Sequence, residues 1–200
     1  MLKAMKSKYG MSRLGDLIKE PPQYGANVRA VDGIVGKDIR YVRITDIDSL
    51  GNLRDDGWKT AEVVRDKYLL VENDLLFARS GATAGKTFIY KSKFGKAIFA
   101  GYMIKFKIDD KEANPDYVFN FTQTSWYGLW VKTIQRPSGQ PNINSQEYQS
   151  LEIPLPPLSV QEKIASEVKV RRQKASRLKQ ETDELLREAK QNIEEMILRN

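Results

Sequence analysis

The chain has 200 residues, a formal net charge of +7, 40% hydrophobic and 10% aromatic residues, and neither histidine nor cysteine. This composition suits one folded domain plus an appended element. It excludes disulfides, thiolate chemistry and the hydrolase triads and zinc sites that depend on histidine. No run approaches the ~20 apolar residues of a membrane span. The opening Met-Leu-Lys-Ala-Met-Lys-Ser-Lys lacks a signal-peptide core. With the missing cysteines, this gives the expectation of a cytoplasmic protein that makes no membrane contact.

The positive charge is unevenly spread. Between 75 and 108 the chain carries Arg79, Lys86, Lys91, Lys93, Lys96, Lys105 and Lys107 without one acid. Between 117 and 146 it carries only Lys132 and Arg136. A basic portion of a domain is the footprint of a polyanion partner, although ordinary basic surface has the same composition.

In chain order, 14–19 reads as a short helix or turn before Pro21-Pro22. A strand is expected at 39–44, a turn-rich stretch at 45–52, and an apolar strand at 75–78 after the turn Glu72-Asn73-Asp74. Another strand is expected at 88–90, and strand signal runs over 97–108, broken at Gly101. Residues 115–129 read as one helix, with Val118, Phe119, Phe121 and Thr122 on its buried face. Trp58, Trp126 and Trp130 read as core or interface residues.

Two loops carry the chemistry. The first, flexed by Gly81 and Gly85, holds Arg79, Ser80, Thr83, Lys86 and Thr87 between two strands. It falls one residue short of a phosphate-binding P-loop, and Phe88-Ile89-Tyr90 continues as strand where a P-loop would open a helix. Its hydroxyls, cations and backbone N–H groups suit DNA phosphates; the same glycines also suit a plain tight hairpin. The second loop, Arg136-Pro137-Ser138-Gly139-Gln140-Pro141-Asn142-Ile143-Asn144, is dense in groups that can bond base edges. Asn142 and Asn144 serve equally well as turn and capping residues.

Pro154, Pro156 and Pro157 then stiffen a connector, because proline cannot donate to a ladder and restricts the residue before it. Ser159 with Glu162 reads as a capping box opening a long helix. From Ile164, steps of four and three reach Val168, Arg171, Ala175, Leu178, Thr182, Leu185, Ala189, Asn192 and Met196, a heptad seam. Leu186, Ile193 and Ile197 widen it. Such a stripe needs a partner helix or its own head domain to cover it. The expected architecture is α+β: a mixed α/β domain over 1–156, then a single long coiled-coil helix over 157–200.

An ordered set of segments carries a resemblance. Tyr41-Val42-Arg43-Ile44-Thr45-Asp46-Ile47 comes first, then Asn73-Asp74-Leu75-Leu76-Phe77-Ala78-Arg79-Ser80-Gly81 with Gly85-Lys86. Gln140-Pro141-Asn142-Ile143-Asn144 and Ile153-Pro154-Leu155-Pro156-Pro157-Leu158 with Gln161 complete it. Over about four-fifths of its length the chain resembles half of a type I restriction-modification specificity (S) subunit. In that family a subunit has two target recognition domains, each followed by a long helix. The helices pack antiparallel, and each domain reads half of a bipartite DNA site.

The resemblance implies a non-catalytic subunit with no cofactor of its own. Its partners would be double-stranded DNA, methyltransferase subunits that carry S-adenosylmethionine, and in some complexes a nuclease-translocase subunit. One domain and one helix imply that two copies pair through Ile164, Val168, Ala175, Leu178, Leu185, Ala189 and Met196, giving a palindromic interrupted site. A piece of a two-domain subunit would have the same sequence. For phosphate contact the residues expected are Arg79, Lys86, Lys91, Lys93 and Arg136, with Ser80 and Thr83 beside them. For base contact they are Tyr102, Ser138 and Gln140. The variable, specificity-bearing segments are expected at 58–65, 91–102 and 132–138.

Two competing readings stay open. A methyltransferase or nuclease fragment would need a cofactor fingerprint or an Asn/Asp-Pro-Pro-aromatic motif, and neither proline pair, Pro21-Pro22 or Pro156-Pro157, has those neighbours. An adaptor or anti-specificity decoy would assemble with methyltransferase without reading DNA.

Overall fold

The computed structural model describes residues 7–48, 51–54, 56–135 and 141–198. At its centre is an antiparallel sheet of β2 (Gln23–Tyr24), β9 (Met103–Lys107), β6 (Asp74–Ala78) and β7 (Thr87–Ile89), in that order. Both faces of this sheet are covered, which is why β6 reads as a continuous apolar run and does not alternate. Successive side chains point to opposite faces. Leu75, Phe77, Ile104 and Phe106 enter one core with Val118, Tyr127, Tyr148 and Ile153. Leu76, Ala78, Phe88 and Met103 enter the other with Tyr41, Val42, Ile98 and Phe99.

The first core is roofed by three short helices, α1 (Pro115–Phe121), α2 (Ser125–Ile134) and α3 (Ser145–Gln149). The single helix expected over 115–129 is therefore broken. Thr122 ends α1, and Thr124 accepts a bond from the Tyr127 N–H to start α2. Thr122 Oγ1 is 2.7 Å from Thr87 Oγ1 of β7, so the break is tied to the sheet. The second core is closed by β4 (Arg40–Val42) paired parallel with β8 (Ala97–Phe99). A ribbon of β3 (Ala30–Asp32) and β5 (Lys59–Ala61) flanks it.

The connector is part of the head. β1 (Met11–Arg13) pairs antiparallel with β10 (Glu152–Pro154), and the Leu155 N–H donates to Gly10 O at 2.8 Å. From there α4 (Leu158–Leu198) runs for 41 residues. Its start corrects the expected cap at Ser159. The Pro157 carbonyl already accepts from the Val160 and Gln161 N–H groups, at 2.8 and 3.1 Å. Ser159 therefore lies inside the first turn.

Gln161 and Ala165 are buried against the head, Val168 and Arg172 are half-buried, and every described residue from 173 to 198 is exposed. These four positions share one face, since residues three and four apart stack along a helix. Val168, assigned above to the partner seam, thus leans on the head. Ile164, Ala175, Leu178, Leu185, Ala189 and Met196 lie on the open stripe. No described helix is long and apolar enough to cross a membrane.

Candidate nucleic-acid interface

The glycine loop joins antiparallel strands β6 and β7, and two buried tyrosines shape it. The Tyr148 hydroxyl donates to Ala78 O at 2.6 Å and accepts from the Gly85 N–H at 3.1 Å. The Tyr127 hydroxyl donates to Gly85 O at 2.7 Å. Burial raises the pKa of both phenols, so they stay neutral donors. Gly85 has φ +93°, and a Cβ there would meet Val131 Cγ1 at 2.6 Å. Position 85 therefore requires glycine for both conformation and space.

The two loops singled out by the sequence are sewn together. Ser80 bridges to Asn142, the Gly81 N–H donates to Pro141 O at 3.0 Å, and the Ile143 N–H donates to Arg79 O at 2.7 Å. Arg79 Nε donates to Asn142 Oδ1 at 3.4 Å. Asn144 has turned to capping: it forms a reciprocal box with Glu147 at the start of α3. Arg136, Ser138 and Gln140 lie outside the described residues.

Tyr24, not singled out in the sequence, completes the surface. Its ring lies under the Arg79 guanidinium at 4.9 Å, and its hydroxyl is 3.3 Å from Ser145 Oγ. Stacking on one face and the Asn142 bond at Nε hold Arg79 in a fixed orientation. Tyr102 adjoins it, since the Arg79 N–H donates to Tyr102 O at 2.9 Å. Tyr24 and Tyr102 are 37% and 38% exposed. Burial raises the Tyr102 pKa and nearby Arg43 opposes the shift. Arg43 is itself held by Asp46 at 2.6 Å and by Gly57 O at 3.3 Å. The only sequence signal for Tyr24 was an aromatic residue in extended chain after Pro21-Pro22.

Other expected cations point elsewhere. Lys86 Nζ donates to Ile47 O at 2.5 Å, and burial lowers its pKa. Lys91 Nζ sits 2.8 Å from Asp116 Oδ2 and 2.7 Å from Asn73 Oδ1, with Glu72 at 3.7 Å. Both ammonium groups are thus engaged within the fold. Lys93 lies over the Phe94 ring at 5.2 Å on an exposed turn. Thr83 lines an open cleft of about 380 Å³ with Thr87, Thr122, Gln123 and Tyr127.

A mixed head domain with a stitched, arginine-bearing loop surface, carried on one long helix, has the form of a recognition module on a spacer. A family model for the type I restriction modification DNA specificity domain matches residues 6–193, and the chain belongs to that family. It is 27% identical over 107 residues to the type I restriction enzyme MjaVIII specificity subunit of Methanocaldococcus jannaschii; that match covers 54% of this chain and 24% of the relative.

Three solved structures share the fold. A chain of a type I R-M system superposes with a TM-score of 0.65 at 17% identity, over 94% of this chain and 44% of that one. The HsdS subunit from Thermoanaerobacter tengcongensis gives 0.63 at 16%, over 96% and 48%. The type I restriction-modification S subunit from M. genitalium gives 0.55 at 13%, over 83% and 40%. The chain thus spans about a quarter of the curated relative and under half of each solved chain.

Proposed function

We propose that this chain is a sequence-specific DNA-recognition subunit of a type I restriction-modification complex, reading one half of a bipartite duplex site. The observation that carries this reading is the junction of the two polar loops at Arg79 and Asn142, on a chain matched to the specificity family over nearly its whole length. Arg79, Lys93 and Arg136 hold phosphates, with Ser80 and Thr83 alongside. Tyr102, Ser138 and Gln140 face base edges. Phosphate contacts set register and affinity, and base contacts set sequence.

The exposed stripe of α4 takes a partner helix, in this reading that of a second copy lying antiparallel. The pair carries two heads, and methyltransferase subunits dock on this frame and supply S-adenosylmethionine; a translocase-nuclease joins in restricting complexes. The chain itself contributes recognition and spacing, with no catalytic step. The test is selection from a randomised duplex pool by the chain bound to its methyltransferase. Enrichment of a split motif supports the reading. A stable complex that enriches no sequence would make the chain a decoy adaptor.

A further inference from the structure

The stalk is seated on the head along one face of α4, from a proximal point at Gln161 through Ala165 and Val168 to a distal point at Arg172, and we infer that the distal contact, Arg172 on Phe119, is a positioning contact that sets the head–stalk angle and hence the spacing between half-sites. At the proximal point, Gln161 is 1% exposed, and its amide spans two elements. Its Oε1 accepts from the Asn114 N–H and its Nε2 donates to Pro156 O, both at 2.8 Å. At the distal point the Arg172 guanidinium lies 5.1 Å from the centroid of Phe119 in α1. The far edge of that ring is pressed on Gly51, where an added Cβ would come within 2.8 Å of Phe119 Cζ. Asp48 and Asp116 lie close enough to Arg172 to favour its charge, against the burial that disfavours it. Asp116 also holds Lys91, so this anchor belongs to a network that joins α1, Asp48 and the residues just after β7.

A seat confined to the root of the helix leaves the rod free to sway, whereas a further contact out along it restrains its direction. The points are ~16 Å apart, and the exposed stalk continues for roughly 40 Å beyond Arg172, at ~1.5 Å per residue. By that geometry a 1 Å sway at Arg172 becomes about 3 Å at the far end. In an antiparallel pair the far end lies beside the partner's head. The displacement then matches the ~3.4 Å step between phosphates of one strand. The consequence for spacing rests on the paired, DNA-reading form proposed above; the rigidity of the joint does not.

The natural chain has no cysteine, so spin labels can be placed at will. Exposed Lys96 on the head and Lys190 on the stalk are changed to cysteine, and the labelled chain is diluted in unlabelled protein. Within-chain distances are then compared with and without Arg172→Met, which keeps the aliphatic stem and removes the cation. Arg172→Lys, which restores a charge over the ring, is the rescue. The expected result is a narrow distance that broadens by a few Å in Arg172→Met, by the lever estimate of about 3 Å, and narrows again in Arg172→Lys. Unchanged width in Arg172→Met overturns the inference, whether or not the protein reads DNA. With methyltransferase, Arg172→Met is expected to modify the same half-sites at neighbouring spacer lengths. Retention of a single spacer overturns the spacing role. A wild-type complex that modifies no motif counts against the DNA-reading function and leaves the distance result to decide the joint.

Discussion

The side-chain amide of Gln161 and the backbone of Asn114 are joined at 2.8 Å across the boundary between stalk and head. The amide is buried and satisfied at both ends, so its removal leaves the Asn114 N–H and the Pro156 carbonyl without their partner. Gln161→Leu is expected to lower stability by about 1–3 kcal/mol, the cost of unsatisfied buried polar groups. Urea unfolding should show a lower midpoint at unchanged slope. An unchanged midpoint would mean that water replaces the amide without loss.

Tyr148 is predicted to matter to the glycine loop between β6 and β7 as much as to the core. Tyr148→Phe keeps the ring but removes the hydroxyl shared by Ala78 and Gly85. A loss of about 1–3 kcal/mol is expected. Faster amide exchange at Gly85 than at other protected amides would locate the effect in the loop.

Arg79 and Lys91 should separate in a salt titration of DNA binding. Arg79→Ala is expected to weaken binding and reduce the log–log salt slope by about one unit, as loss of one phosphate contact requires. Lys91→Ala should leave the slope unchanged, because its ammonium is already paired with Asp116. A reduced slope for Lys91→Ala would return that residue to the interface.

Asp74 gives a pH signature. Its side chain is fully buried at the start of β6; burial raises its pKa, against the opposing Val71 N–H and Lys105. The folded state therefore holds this proton to higher pH than the unfolded chain. Stability contributed here is full below the ordinary carboxylate range and falls as pH rises through the folded-state value. Asp74→Asn should remove that fall, measured as the denaturation midpoint against pH.

What the sequence revealed and what it did not follow from the range of the interactions. β6 was legible because a strand buried on both faces is apolar throughout, and the connector because proline acts locally. The long helix was legible in its spacing, but the position of Val168 depends on a head surface that spacing does not encode. The split between α1 and α2 depends on Thr122 meeting Thr87. Ser159 looked like a cap because Pro157 has no side-chain acceptor, yet the Pro157 backbone carbonyl takes the role. Among the candidate site residues, Arg79, Ser80 and Tyr102, chosen by residue type, meet in space. The placement of Tyr24, Lys86 and Lys91 was not legible, because each orientation is decided by a residue distant in sequence: Arg79, Ile47 and Asp116.

The central claim is best tested by co-expressing the chain with its methyltransferase in a host free of other modification and mapping modified bases genome-wide. The account predicts one interrupted palindrome, two inverted copies of a single half-site at fixed spacing. An asymmetric motif would contradict pairing of identical copies, and the absence of any motif despite a stable complex would contradict DNA reading by this chain.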